Sequence, residues 1–181
     1  GVPRNQVFGS GTVLDTSRLR YLVSRETGVA TQNIHAYVTG EHGDSEVALW
    51  SSAEIGNVPI RHWGPTLSGR LFDSDLRKEI AEEVTQSAYK IIEGKGATNY
   101  AIGLSAANIA RAVLRDENRV LTISSLLEDW EGISDVCMAA PTIVGRMGAG
   151  RVLNPPLTLA ERDGLTESAR RLRAVAQELG F

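Results

Sequence analysis

Apolar residues recur at helical spacing near the start of the chain. Val13, Leu14, Leu19, Leu22 and Val23 fall within residues 12–27, and Gly28 is a natural stop. Residues 33–38 read as a strand that ends in a turn at Gly40. A second strand-forming run, Val47-Ala48-Leu49-Trp50, follows that turn. Residues 74–93 predict a long amphipathic helix with Leu76, Ile80, Val84, Ala88 and Ile91 on one face, capped by Ser74 and broken by Gly94-Lys95-Gly96. Asn99 is placed to cap the next helix. There Ile102, Leu104, Ala106, Ala107, Ile109, Ala110, Val113 and Leu114 occupy so much of the circumference that a largely buried helix is expected.

The period then changes. Residues 119–126, 132–138 and 140–144 read as strands of a meander, 145–150 as a glycine-rich turn and 151–154 as the return strand. Pro155-Pro156 closes this region. Thr158-Leu159-Ala160-Glu161 has the spacing of a capping box and opens a last helix that ends near Leu179, with Gly180 just beyond. Internal repeats and low-complexity segments are absent. Helices and strands that group rather than alternate predict an α+β domain, an antiparallel β-meander packed with long helices. No G-x-G-x-x-G follows a strand and opens a helix, so a Rossmann unit is not expected in these residues.

Composition narrows the picture. A chain of 181 residues is long enough for one domain with a real core, here 1–181 as a single unit. A hydrophobic fraction of 42% and a charged fraction of 23% are those of an ordinary globular protein. The net charge of −3 and the scattered basic residues argue against a nucleic-acid surface. No apolar run approaches the ~20 residues of a membrane span, and the first residues lack a signal-peptide core. The single cysteine, Cys137, cannot form an internal disulfide. Its apolar neighbours predict a buried, inert thiol, which fits a reducing compartment.

Two stretches carry candidate chemistry. In Gly40-Glu41-His42-Gly43-Asp44 a histidine sits on a glycine-hinged turn between acids. Glycines permit tight turns and close approach of a ligand, and a histidine titrates near neutrality. On the first helix, a turn of ~100° per residue puts Asp15 and Arg18 on one face and Arg20 on the opposite one. Taken alone, these residues also fit blander roles: a surface histidine, a local Asp–Arg pair and a solvated Arg20. The stretch has no H-E-x-x-H, and one histidine among acids is not a zinc cage, so no metal is expected.

Together the segments resemble the carboxy-terminal, catalytic half of the lactate/malate dehydrogenase family, and its L-lactate dehydrogenases in particular. The resemblance rests on Gly9-Ser10-Gly11-Thr12-Val13-Leu14-Asp15-Thr16-Ser17-Arg18-Leu19-Arg20, on Gly40-Glu41-His42-Gly43-Asp44-Ser45, on the segment Gly96-Ala97-Thr98-Asn99-Tyr100-Ala101-Ile102-Gly103-Leu104-Ser105 and on Pro141-Thr142-Ile143-Val144-Gly145-Arg146, in that order along essentially the whole chain. It implies an NAD-dependent interconversion of pyruvate and L-lactate in the cytoplasm. His42 would be the proton donor and acceptor and Asp15 its carboxylate backing. Arg18 would hold the substrate carboxylate, Thr98 would line the substrate pocket, and Ser10 and Ile102 would lie near the nicotinamide. Arg20 and His35 fall where fructose 1,6-bisphosphate-responsive members bind that effector at a subunit interface, so a homo-oligomer, dimer or tetramer, is implied. The family also carries an amino-terminal dinucleotide-binding domain and a mobile closing loop, neither of which lies within these 181 residues. Negligible turnover is therefore expected from this chain alone, with apolar surface exposed on the first helix and on residues 98–114. Malate dehydrogenase is the alternative activity, since the closing loop separates the two. A non-catalytic sugar-phosphate-binding oligomerisation module is the alternative of another class.

Overall fold

The computed structural model describes residues 1–180. Helix α1 (Val13–Thr27) is followed by short strands β1 (Ile34–His35), β2 (Val38–Thr39), β3 (Val47–Ala48), β4 (Glu54–Ile55) and β5 (Val58–Pro59). Two long helices come next, α2 (Ser74–Lys95) and α3 (Tyr100–Leu114). Strands β6 (Arg119–Leu127), β7 (Val136–Gly145) and β8 (Gly148–Val152) then form an antiparallel meander, and α4 (Leu159–Glu178) closes the fold. This is the α+β architecture read from the grouping of elements, and no parallel βαβ unit occurs among the described residues.

Three apolar clusters hold it. The largest joins Leu19, Leu22 and Val23 of α1 to Ile34, Ile55 and Ile60 and to Leu76, Ile80 and Val84 of α2. Each fully buried Leu or Ile in such a cluster contributes roughly 1.5–3 kcal/mol. A second packs Leu165 and Ala169 of α4 on Leu127, Met138 and Ala140. The third sets Ala112 of α3 against Ile123, Val144 and Val13.

Several local expectations shift. The run 33–38 is interrupted: β1 pairs with β4, whereas β2 pairs with β3 as a hairpin, so Ala36 and Tyr37 mark a change of sheet. The two central strands expected at 132–138 and 140–144 are one strand, β7, because its ladder with β6 continues unbroken from Val136 to Val144. The return strand starts at Gly148 and not at 151. Asp73 and not Ser74 caps α2, its carboxylate accepting from the Leu76 N–H, and the helix runs on to a left-handed Gly96. Asn99 stands at the start of α3 without a side-chain capping bond. The Thr158–Glu161 capping box is fully formed.

Two burial expectations fail. Cys137 is exposed, because β7 alternates there and turns it outward between buried Val136 and Met138. On α3 only Ser105 and Ala112 are buried, while Leu104 and Leu114 are 69% and 81% exposed. The helix is apolar nearly all round, yet this chain covers one side of it. The apolar positions of α1, by contrast, are mostly covered.

The meander positions the segments that matter. Gly9 and Ser124 exchange backbone hydrogen bonds at 2.8 and 3.1 Å, and the Thr12 N–H donates to Thr122 O at 3.0 Å. These bonds fix the entry to α1. Gly11 has φ +51, and a Cβ there would lie 2.5 Å from Thr122 O. Only glycine allows so close a crossing of backbone. On the next strand over, Gly40 and Ala139 exchange bonds at 2.9 and 3.1 Å. The hairpin loop between β2 and β3 is thereby pinned at its base, two residues before His42.

Candidate active site

Helix α1 contributes the buried part of the site. Its inward face carries Thr12, Asp15 and Thr16, polar side chains almost without exposure. Buried polar groups need partners. Thr12 Oγ1 donates to Val38 O at 2.6 Å, and Thr16 Oγ1 accepts from the Val38 N–H at 3.0 Å while meeting Thr122 Oγ1 at 2.9 Å. These bonds lock α1 against β2, the strand that leads directly to His42.

Asp15 is the centre. Its Oδ1 accepts from Arg18 Nη1 at 2.8 Å, and its Oδ2 lies 2.7 Å from His42 Nδ1. That oxygen has no other partner among the described residues, so the imidazole N–H is its match. A carboxylate on Nδ1 fixes the ring orientation and leaves Nε2 as the free nitrogen. The Asp15 side chain is 2% exposed and that of His42 54%, so the charge is buried behind a ring that reaches solvent. The hydrogen bond to Asp15 raises the pKa of His42 above 6.5. Partial burial works against this, the negative charges of Asp15 and Glu46 reinforce it, and Arg18 counters it.

Arg18 spends one of its five N–H donors on Asp15 and has no other side-chain hydrogen bond among the described residues. Both residues border a cleft of about 220 Å³ together with His42, Asp44, Glu46 and Tyr89. That volume suits a small molecule rather than one of drug size, for which ~300–1,000 Å³ is usual. A guanidinium fork beside an imidazole held by a buried carboxylate can grip an anion and pass a proton to it.

The structure gathers Asp15, Arg18 and His42 into one site. The other predicted residues lie elsewhere. Thr98 is in the link between α2 and α3 and does not border the cleft. Ser10 borders a separate apolar cleft of about 410 Å³ with Phe8, Ile109 and Val113, and Ile102 is half-buried on α3. Arg20 is half-buried. Its Nε donates to Ala36 O at 3.0 Å, its guanidinium stands 5.0 Å from the Tyr37 ring centre, and burial lowers its pKa. His35 is exposed on β1.

Sequence reasoning passed over Glu46, Thr85 and Tyr89. Two of them come from α2, whose approach to the β2–β3 loop no local pattern announces. Asp15, His42 and Glu46 place one ligand-capable atom each within 4.8 Å of one another. Arg18, already paired to Asp15, supplies a positive charge at the same spot, which disfavours a metal ion there.

Residues 12–179 match the lactate/malate dehydrogenase alpha/beta C-terminal domain family. The chain belongs to the lactate/malate dehydrogenase family. An L-lactate dehydrogenase of Bifidobacterium animalis subsp. lactis (strain AD011) is 50% identical over 181 residues, which are 100% of this chain and 57% of that protein. That of Thermus aquaticus is 46% identical over 100% of this chain and 58% of its own length. Among solved structures, the minor L-lactate dehydrogenase of Enterococcus mundtii in a ligand-bound form superposes with a TM-score of 0.92 at 35% identity, over 98% of this chain and 56% of that one. The chain thus spans a little over half the length of the lactate dehydrogenases it matches, and its fold is that of their C-terminal part.

Proposed function

We propose that this chain is the substrate-binding and proton-transferring domain of an NAD-dependent L-lactate dehydrogenase. The observation that carries the reading is the Arg18–Asp15–His42 constellation, with Asp15 touching both partners at 2.8 and 2.7 Å. Arg18 holds the carboxylate of pyruvate through its remaining donors, a task that suits a planar fork. His42 gives the proton on Nε2 to the 2-oxo oxygen during reduction and takes it back during oxidation. Asp15 stabilises the imidazolium between those events. Such proton transfer contributes typically ~10²–10⁴-fold.

NAD, when bound, would supply or take up the hydride. The apolar cleft bordered by Ser10, Ile109 and Val113 would hold its nicotinamide ring, and Ile102 lies on the same helix as Ile109 and Val113. No glycine-rich strand–helix turn for the pyrophosphate occurs among the described residues, so the rest of the cofactor needs residues outside this chain. Turnover by the 181 residues alone is accordingly expected to be negligible. A homo-oligomer in the cytoplasm completes the proposal. Among the described residues, no helix is long and apolar enough to cross a membrane.

The test is NADH-dependent reduction of pyruvate and oxaloacetate by the full-length protein. Preference for pyruvate is expected, with His42→Gln lowering kcat about 10²–10⁴-fold and Arg18→Gln mainly raising KM. A His42→Gln variant within tenfold of wild type would overturn the assignment.

Regulation by fructose 1,6-bisphosphate through Arg20 and His35 forms the second part of the reading. It is favoured by the Arg20–Ala36 bond, which sets the guanidinium beside the residue that follows His35. Calorimetry of the full-length protein is expected to give binding that disappears in Arg20→Ala and His35→Ala. Heat unchanged in both variants would count against it.

A further inference from the structure

Glu46 sits one residue before β3 and belongs to no pair described above. Its carboxylate still reaches the acid–base centre. One oxygen of Glu46, one of Asp15 and a ring nitrogen of His42 all lie within 4.8 Å. The carboxylate is anchored from a different element: Thr85 Oγ1, on α2, donates to Glu46 Oε1 at 2.9 Å. The half-buried Glu46 stands in the wall between the cleft of about 220 Å³ that contains His42 and a cavity of about 700 Å³ along α2.

Charged and titratable groups face it from each side. Helix α1 presents Asp15 and Arg18, the hairpin loop presents His42 and Asp44, and α2 presents Glu82, Tyr89, Lys90 and Glu93 around the larger cavity. Of these, Asp15 and His42 come within 4.8 Å of Glu46 and contact each other at 2.7 Å. Each of these carboxylates favours the charged form of the ring. Burial, then the charge of Asp15, pushes Glu46 up to about 7, against the opposing hydrogen bond from Thr85.

We propose that Glu46 is a positioning residue for proton transfer, whose ionised carboxylate joins Asp15 in holding the imidazolium of His42. This deepens the reading of His42 as the acid–base group and rests on it. As pH rises through neutrality Glu46 gains its charge, and that charge favours the protonated ring of His42. The imidazolium therefore persists to higher pH than Asp15 alone would sustain. Thr85 keeps the carboxylate in place, so α2 takes part in setting the acidity of a residue on another element.

The test is a titration of His42 in the full-length protein labelled with ¹³C at histidine Cε1, with the His42 signal identified by its loss in His42→Gln. The wild-type midpoint is expected above 6.5. Glu46→Gln keeps the acceptor for Thr85 but removes the charge, and should lower the midpoint by about half a unit to one unit. Glu46→Asp should restore at least half of that loss. His35 and His62 serve as controls and should not move. A His42 midpoint unmoved by Glu46→Gln, or three histidines moving together, would overturn the proposal. Asp15→Asn separates the two levels: if that variant also leaves the midpoint in place, the acid–base reading itself has failed.

Discussion

A single buried carboxylate organises the site. Asp15 satisfies a guanidinium and an imidazole at once, so its burial costs little only while both partners remain. The neighbouring Glu46 has a pH signature of its own. Its folded-state value of about 7 exceeds the ordinary 4.5. Between those pH values the folded chain keeps a proton that the unfolded chain has released, so stability falls as pH rises through this window. His42 acts in the same direction at higher pH. Its stabilisation is complete below 6.5 and disappears as pH climbs through its raised folded value. Carboxylates held low by partners, such as Glu83 beside Arg25, affect only the acid side. The melting temperature should therefore decline as pH rises from about 5 through neutrality, and Glu46→Gln should flatten the part below neutrality. A profile that rises over this range would contradict the assignment. Backbone crossing gives a second prediction. A Cβ at Gly11 meets Thr122 O at 2.5 Å with φ at +51, so Gly11→Ala should cost roughly 1–3 kcal/mol in denaturant unfolding. An unchanged midpoint would mean that the crossing relaxes freely.

Among the elements, α4 has its start written most clearly. Thr158 accepts from the Glu161 N–H, and the Glu161 carboxylate accepts from the Thr158 N–H at 2.7 Å. Glu161 also accepts from the Ser51 N–H at 3.0 Å, which ties the helix to the segment after β3. Burial alone would raise its pKa, yet the hydrogen bonds from Ser51 and Thr158 together outweigh that and lower it. Thr158→Ala is expected to cost about 1 kcal/mol, the usual value of a lost cap. Glu161→Ala should cost more, since it frees two backbone donors on separate elements. Chemical denaturation of both variants checks the order, and equal costs would remove the role given to Ser51.

At the scale of the molecule, α3 is the exposed flank. Tyr100, Leu104 and Leu114 are 76%, 69% and 81% exposed, and Phe8, Ile109 and Val113 border the open apolar cleft beside it. Contiguous apolar surface of this kind favours association. The 181-residue chain should bind a hydrophobic dye and self-associate with rising concentration, and Leu104→Glu with Leu114→Glu should reduce both without lowering the melting temperature. Sedimentation is the measurement. A chain that stays monomeric at all concentrations would show that the face is harmless.

Local signals were enough for much of this protein. Helical periodicity located α1, α2, α3 and α4, the T-L-A-E spacing named a capping box, and a three-residue step on one helix put Asp15 and Arg18 on a common face. These features depend on neighbours a few positions apart, and a chain cannot alter them without altering its composition there. Tertiary structure decided the rest. Nothing local says that β1 and β2 separate into different sheets, that Cys137 points outward, or that α3 lies half uncovered. Each depends on which partner an apolar surface finds. The same holds for Glu46, whose protonation follows from its burial, from Asp15 31 positions away in the sequence and from Thr85 39 positions away. Residue identity sets which groups can carry a proton, but how tightly they hold it depends on what the fold brings within a few ångströms.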